Sequence, residues 1–308
     1  MHQFVAILDN GSQYTQLIAR RTRELGVYSE ILSHKTSASA LKGREGLIGI
    51  ILSGGPASVY EKDSPKPDSE LFRLGVPVLG ICYGLQFAAS VLGGKVIPGK
   101  EREFGHAELK ILRPGELLHG VGSDEAARVW MSHGDKVADL PVGDWDVLAS
   151  TPTCEYAAVA HKKLPFVGVQ FHPEVHHTPQ GKQVLHNFLY GVCNARGDWK
   201  MSSFIEEQVA RIKQQVGRAS VICGLSGGVD STVVAALISR AVGEQLTCIM
   251  VDNGGLRTGE VEGVRSAFEG HFKLKLVVAD AADRFLDNLK GITDPDEKRK
   301  RIGHDFIR

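Results

Sequence analysis

Gly80-Ile81-Cys82-Tyr83-Gly84-Leu85-Gln86 is the stretch on which the reading of this chain turns. Val76-Pro77-Val78-Leu79 before it is a short apolar run and predicts a buried strand. Leu85–Leu92 after it, closed by Gly93-Gly94, predicts a short helix. Cys82 therefore falls on a strand-to-helix corner with a glycine two residues to either side. This is the Gly-x-Ser-x-Gly nucleophile elbow with sulfur in place of oxygen. The glycines permit a sharp, strained turn that lifts the side chain to the top of a sheet. The N-terminal dipole of the following helix favours thiolate at that point. A buried structural cysteine is the alternative reading, and a base elsewhere in the chain separates the two.

That base is expected at Phe166-Val167-Gly168-Val169-Gln170-Phe171-His172-Pro173-Glu174, where a buried strand runs into His172. Pro173 holds His172 out of the α region. Residues two apart in an extended chain share a face, so His172 and Glu174 are expected side by side. A carboxylate that accepts the Nδ1 proton leaves Nε2 free to face sulfur. A metal reading would use His172, His176, His177 and Glu174. Helical pairing across Pro173 disfavours it, and no Cys-x-x-Cys accompanies it.

Upstream, Val5–Leu8, Val27–Leu32 and Leu47–Leu52 read as strands, with a helix over Gln13–Leu25 stopped by Gly26. Short apolar runs alternating with helices predict a parallel sheet covered on both faces, with functional loops at the carboxyl ends of its strands. Ser53-Gly54-Gly55-Pro56 is such a loop, and the Gly55 N–H paired with the Tyr83 N–H could form an oxyanion hole. The same four residues also suit an ordinary strand-ending turn. Residues 95–165 read as mixed β with loops. Within them Ser132-His133-Gly134-Asp135 is expected to be a loop bearing polar ligands, with His133 solvated.

The chain has 308 residues, which suggests two domains at about 100–200 residues each. Lys plus Arg equals Asp plus Glu at 36 each, so no global charge footprint points to nucleic acid or an acidic membrane. There is no signal-peptide pattern and no apolar run near about 18 residues. Five scattered cysteines do not form a disulfide framework, and the cytoplasm is the expected compartment.

After a helix at Gln183–Tyr190, Cys193–Trp199 reads as a linker and Met201–Val216 as an amphipathic helix. The βα alternation then restarts with a strand at Ser220–Leu225 and a helix at Thr232–Val242. Further strands follow at Leu246–Val251 and Leu274–Ala279. Between the first pair lies Ser226-Gly227-Gly228-Val229-Asp230-Ser231, which reads as a phosphate cradle: N–H groups at a helix start, hydroxyls beside them and a carboxylate for a metal. It is not a Walker A loop, because it carries no lysine. Lys298-Arg299-Lys300-Arg301 reads as a solvated helix face.

The first group of motifs (Ser53–Pro56, Gly80–Gln86 and Phe171–Glu174) resembles a class I (triad) glutamine amidotransferase domain. Ser226–Thr232 is similar to the PP-loop of ATP pyrophosphatases. Both in this order resemble the glutamine-hydrolysing GMP synthetase family, as do Asp9–Tyr14, Gly105-His106-Ala107-Glu108 and Thr293-Asp294-Pro295. The resemblance covers essentially the whole chain. It implies an α/β fold: a class I amidotransferase-like doubly wound mixed sheet over 1–195, then a partial PP-loop (adenine nucleotide α-hydrolase-like) α/β domain over 196–308.

It further implies that Cys82 attacks the glutamine amide, His172 moves the proton and Glu174 orients it. Gly54, Gly55 and Tyr83 would serve the oxyanion, and Gln86, Ser132, His133 and Gly134 would line the glutamine pocket. ATP would bind at Ser226, Gly227, Gly228, Val229, Asp230, Ser231 and Thr232, with Mg²⁺ near Asp230. ATP would adenylate XMP, and ammonia would displace AMP to give GMP. Gly255 stands where the family has leucine. The chain ends inside a predicted helix, Gly303–Arg308, so the resemblance implies a truncated ATP domain. The region that makes full-length members homodimers and binds XMP is expected past residue 308. Two other readings stay open: a stand-alone cysteine hydrolase of γ-glutamyl compounds, and a non-catalytic regulatory fragment.

Overall fold

Phe4, Ala6 and Leu8 are buried with one set of apolar side chains, while Val5 and Ile7 are buried with another. Ile50 and Leu52 against Ile51, and Val78 against Leu79 and Ile81, divide the same way. Successive residues of a strand point to opposite faces, so these strands carry a core on each face. In the computed structural model, which describes residues 2–122, 127–271 and 274–307, the chain forms two compact units, Met1–Lys200 and Met201–Arg308.

In the first unit the strands are β1 (Phe4–Asp9), β2 (Tyr28–Ser33), β3 (Leu47–Leu52), β4 (Val78–Ile81), β5 (Lys95–Glu108) and β6 (Lys110–Ile111). They continue with β7 (Arg128–Asp139), β8 (Trp145–Ser150), β9 (Ala158–His161) and β10 (Phe166–Val169). Its helices are α1 (Thr15–Glu24), α2 (Ala38–Leu41), α3 (Tyr83–Val91) and α4 (Gly181–His186), the last widening into a π-helical turn over Asn187–Val192. Eight strands form one sheet in the order β2-β1-β3-β4-β10-β9-β8-β6. The first five run parallel, and β9, β8 and β6 add an antiparallel flank. The doubly wound mixed sheet is as expected. Its chain order reverses beside β1, and β1, β3, β4 and β10 bring their carboxyl ends together, the place where open α/β sheets hold ligands.

α1 buries Ile18, Ala19 and Thr22 on one stripe and stops at Gly26, whose φ of 78° is the left-handed conformation that closes helices. One region departs from expectation. Residues 132–135 are not a loop but lie inside β7, which pairs antiparallel with β5 in a separate two-stranded ribbon. His133 is accordingly buried rather than solvated. The register sets Ser132 opposite Phe104 and His133 opposite Glu103, so ladder hydrogen bonds satisfy a backbone whose polar side chains suggested a loop.

The second unit begins with α5 (Met201–Val216). It continues through β11 (Val221–Leu225), α6 (Val229–Val242), β12 (Leu246–Asp252), α7 (Glu260–Arg265), β13 (Lys275–Asp280), α8 (Ala282–Leu289) and α9 (Pro295–Ile307). The expected closing helix is thus present as far as Ile307; Arg308 lies outside the described residues. The three strands are parallel in the order β11-β12-β13. Cys223, Leu225, Cys248 and Met250 face a core that takes side chains from α5, α6 and α7. The opposite face is open: Ile222 is 75% exposed and Val277 44%. A parallel sheet is ordinarily covered on both faces, so this unit presents apolar surface.

Candidate active site

β4 delivers its last residue straight into the corner. The Cys82 N–H donates to the Val169 carbonyl at 2.8 Å, extending the β4–β10 ladder by one residue. Cys82 then turns to φ 50°, ψ −104°, and α3 starts at the next residue. For a residue with a Cβ this φ is a strained conformation held by its surroundings. Gly80 and Gly84 make the corner possible. A Cβ on Gly80 would lie 2.7 Å from the Leu85 nitrogen, and one on Gly84 would lie 2.7 Å from the Leu52 Cβ and against the Leu52 carbonyl. The helix begins immediately after the cysteine, two residues earlier than its apolar pattern suggested.

His172 and Glu174 stand beside the elbow, both buried. The His172 Nδ1 and Glu174 Oε1 are 2.8 Å apart, and the ring lies beside Cys82. The pairing is as expected, but its geometry is not. Pro173 and Glu174 occupy a turn rather than extended chain, and the turn brings the carboxylate back to the ring. Two hydrogen bonds clamp this turn to the ribbon, His172 N–H to the Trp130 carbonyl (3.1 Å) and Trp130 N–H to Thr178 Oγ1 (3.0 Å), and a third, Thr178 Oγ1–H to the His172 carbonyl (2.7 Å), closes the turn on itself. Burial on its own pulls the His172 pKa down. The Glu174 charge and hydrogen bond, with the neighbouring Cys82, outweigh burial and hold it well above the usual 6.5. His176 and His177 turn away from this pair; they contact each other, and His177 stacks on Trp130 at 4.3 Å. Among the described residues no three metal-capable side chains come together.

The loop after β3 closes the other side. Asn10, which follows β1, ties that strand to the loop through Ser53: its N–H donates to Ser53 Oγ (2.9 Å) and its Nδ2 to the Ser53 carbonyl (2.7 Å). A Cβ on Gly55 would lie 2.5 Å from the Asn10 carbonyl oxygen, so only glycine fits there. One on Gly54 would meet the His172 Cε1 at 3.0 Å and the Cys82 Cβ at 3.6 Å, which places Gly54 against both. Tyr83 is the first residue of α3, where helix N–H groups have no intrahelical carbonyl.

A cavity of about 530 Å³ opens onto Cys82. Its walls are residues 11–14, residues 55–58 with Glu61, Gln86, and residues 132–135 with Phe104. Gly55, Gln86, Ser132, His133 and Gly134 therefore all face one space with the sulfur. Gln86 also braces the site: its Nε2 donates to the Asp135 carbonyl at 2.7 Å and lies 3.4 Å from Gln170 Oε1. Because a backbone carbonyl only accepts, that contact fixes the Gln86 amide, and Gln170 in turn points its Nε2 at the Cys82 Sγ, 3.6 Å away. Gln170, Glu61 and Phe104 were not expected here. Gln170 was hidden in an apolar strand run. The other two carry no motif, and only the ribbon register and the loop path bring them in.

His133 sets a pH dependence. Burial pushes its pKa down to about 4, with smaller contributions from its neighbours: the Asp135 backbone hydrogen bond and carboxylate raise it, while His172 and Lys136 lower it. Glu103 Oε2, itself pushed up by burial, stands 3.0 Å from His133 Nε2 without hydrogen-bond geometry. Between pH 6.5 and about 4 the unfolded chain binds a proton here that the folded chain refuses, so stability falls as pH falls through that window. The loss at pH 4 attributable to His133 is about 3 kcal/mol. Trp130, Trp145 and Trp199, the three tryptophans of the chain, all lie in the first unit, so tryptophan fluorescence follows its unfolding alone. Denaturation midpoints of the parent should drop toward acid more steeply than those of His133→Gln; parallel curves would remove His133 as the cause.

In the second unit the 226–228 loop folds on itself. Gly227 has φ 77°, the Gly228 N–H donates to Ser226 Oγ (3.3 Å), and Ser231 Oγ and Thr232 Oγ1 donate to the Gly228 carbonyl (3.1 and 2.9 Å). α6 starts at Val229, so Asp230 lies exposed in its first turn, with Ser226, Gly227 and Gly228 also exposed before it. Gly255 caps an Asn253 turn, its N–H donating to Asn253 Oδ1 at 2.9 Å.

The family Glutamine amidotransferase class-I matches residues 6–192, and NAD synthase matches residues 200–256. A Staphylococcus epidermidis protein named GMP synthase [glutamine-hydrolyzing] is 50% identical over 305 residues, covering 99% of this chain and 58% of that one. One of the same name from Phenylobacterium zucineum is 52% identical over 307 residues, covering 99% of this chain and 59% of its own. This chain thus spans about 58% of the length of such relatives. The crystal structure of a candidate GMP synthase component from Thermoplasma acidophilum superposes with a TM-score of 0.56 at 32% identity, covering 68% of this chain and 98% of its own. By its matched residues, its sheet and its elbow, the chain belongs to the class-I glutamine amidotransferase family.

Proposed function

We propose that the first unit, taken as residues 1–195, hydrolyses glutamine through Cys82, His172 and Glu174, and that the protein uses the ammonia to convert XMP to GMP with ATP. The observation that carries the reading is a strained cysteine that opens onto a cavity and has a buried, paired His172–Glu174 beside it. The sulfur, relieved of its proton by His172, attacks the side-chain amide carbon. The N–H groups of Gly55 and Tyr83 hold the oxyanion, and Gly54 packs beneath Cys82 and His172. His172 returns the proton to the departing nitrogen, ammonia leaves, and a thioester remains on Cys82. His172 then takes a proton from water, whose oxygen attacks the thioester; glutamate leaves and the thiol is restored. Glu174 holds the imidazole in place and balances its charge.

Residues 196–308 belong in this reading to an ATP-binding domain, with the phosphates at Ser226–Thr232. Magnesium ordinarily takes one or two protein carboxylates and completes its shell with phosphate oxygens and water. The exposed carboxylate of Asp230 at a helix start fits that pattern, and the ion would neutralise charge on the phosphates. With no Walker lysine in the loop, cleavage between the α- and β-phosphates with release of pyrophosphate is the expected outcome. The cytoplasm is the compartment proposed, and homodimerisation follows only from the family resemblance.

The relatives' name and the matched PP-loop region favour this over a stand-alone γ-glutamyl hydrolase. The test is ammonia release from glutamine, measured with and without ATP·Mg²⁺ and XMP. Release in their absence supports the glutaminase, and stimulation by them supports the synthetase. Absence of release under every condition overturns the proposal. Asp230→Ala should weaken Mg²⁺-dependent ATP binding about tenfold or more while leaving glutamine hydrolysis in the absence of ATP unchanged. Equal binding by mutant and parent would make the loop a structural turn.

A further inference from the structure

The residue after the nucleophile carries a second contact that its backbone role does not use. The Tyr83 side chain is almost completely buried, packed in the core cluster that contains Phe72, Leu85 and Phe166. Its hydroxyl donates to the carbonyl of Pro65, the residue after Ser64. From that point the chain runs back toward the cavity through contacts of its own. Ser64 Oγ and Ser64 N–H both donate to the Glu61 carbonyl (2.8 and 3.3 Å), and the Glu61 N–H donates to the Ser58 carbonyl (3.0 Å). Ala57, Ser58 and Glu61 are wall residues of the cavity. Gly55 fixes the beginning of this segment, because its contact with the Asn10 carbonyl leaves no room for movement toward β1.

We infer that Tyr83 is a positioning residue whose hydroxyl anchors the far end of the 56–65 segment and so fixes the cavity wall against which glutamine is held. One residue thereby serves both sides of the site. Its N–H faces the reacting centre, and its ring, locked by core packing, holds the wall. The inference rests on the glutaminase reading for its kinetic arm only.

The test is Tyr83→Phe in the full chain, which keeps the buried ring and the helix-start N–H and removes only the hydroxyl. Losing one such hydrogen bond should raise KM for glutamine about fivefold and leave kcat within about twofold of the parent. A side chain acting merely in general stability would not separate KM from kcat in this way. The segment also carries an independent reporter. Lys62 is exposed, whereas Lys66 is followed by Pro67 and resists trypsin, so cleavage after Lys62 reads the wall alone. It should be about threefold faster or more in Tyr83→Phe relative to cleavage elsewhere in the chain. An unchanged KM, or a fall in kcat with KM constant, overturns the inference. If the parent releases no ammonia, the glutaminase reading fails by itself, and the Lys62 cleavage rate decides the tether: acceleration supports it and an unchanged rate ends it.

Discussion

Cys82→Ala should abolish ammonia release from glutamine, a fall of roughly 10⁴-fold or more, because among the described residues this sulfur is the nucleophile that faces both the cavity and a buried base. His172→Ala should be nearly as severe. Members of a catalytic unit are not additive. Without the imidazole the thiol keeps the Ser132 carbonyl, 3.8 Å away, and the Gln170 Nε2, 3.6 Å away; the first only accepts and the second only donates, so neither can carry the proton off. The departing nitrogen also loses its donor. Glu174→Ala should cost less, roughly 10²-fold to 10³-fold, since the ring keeps its contact to Cys82 and the clamp through Trp130 and Thr178. Its cost should come from the imidazolium, which the Glu174 carboxylate balances in a buried setting. Steady-state ammonia release on the three purified variants gives the ranking directly. Retained activity in Cys82→Ala, or a Glu174→Ala defect larger than that of His172→Ala, would break the assignment of roles.

The same ordering explains which parts of the site could be read beforehand. The elbow was legible because its chemistry demands glycine on either side of Cys82, and the atoms that a Cβ would strike, on Leu52, Gly84 and Leu85, are backbone or core. His172 and Glu174 were legible because Pro173 fixes their separation in sequence, although the chain brings them together by turning rather than by extending. The β1, β3, β4 and β10 strands were legible from apolar runs that must be buried on both faces. The ribbon was legible only in part: Val96-Ile97 and Arg128–Met131 read as strands. Beyond Met131 a histidine takes the next place on the buried face of β7, after Val129 and Met131, so the apolar alternation breaks where the strand continues. Pairing across the ribbon, which is a long-range property, turns a polar Ser-His-Gly-Asp from a loop into a wall. Gln170 escaped for the opposite reason: a single polar residue in an apolar strand has no periodic signature, and its meaning depends on what Gln86 and Cys82 present to it from α3 and the elbow.

The glycines of the elbow carry the second large effect. Gly84→Ala drives a methyl group into the Leu52 carbonyl and to 2.7 Å from the Leu52 Cβ, and Gly80→Ala drives one to 2.7 Å from the Leu85 nitrogen and 2.8 Å from the Gly84 carbonyl carbon. Neither set of atoms is the far end of a flexible side chain. Leu52 ends the buried strand β3, and Gly84 and Leu85 are the first turn of α3, so relief requires the helix to move off the sheet. Overpacking of this kind costs about 1–3 kcal/mol, and more where backbone must shift. The cost to activity should exceed the cost to stability, because the displaced element is the one that holds Cys82 at φ 50° beside His172. Gly134→Ala is the control: its methyl group meets nothing within 4 Å, so the first unit should unfold at the parent's midpoint. Tryptophan-detected denaturation and the rate of Cys82 alkylation by iodoacetamide read the two quantities separately. Elbow variants that match Gly134→Ala in stability and the parent in alkylation would show that the corner tolerates a side chain, and the strain assigned to Cys82 would then have no structural cause.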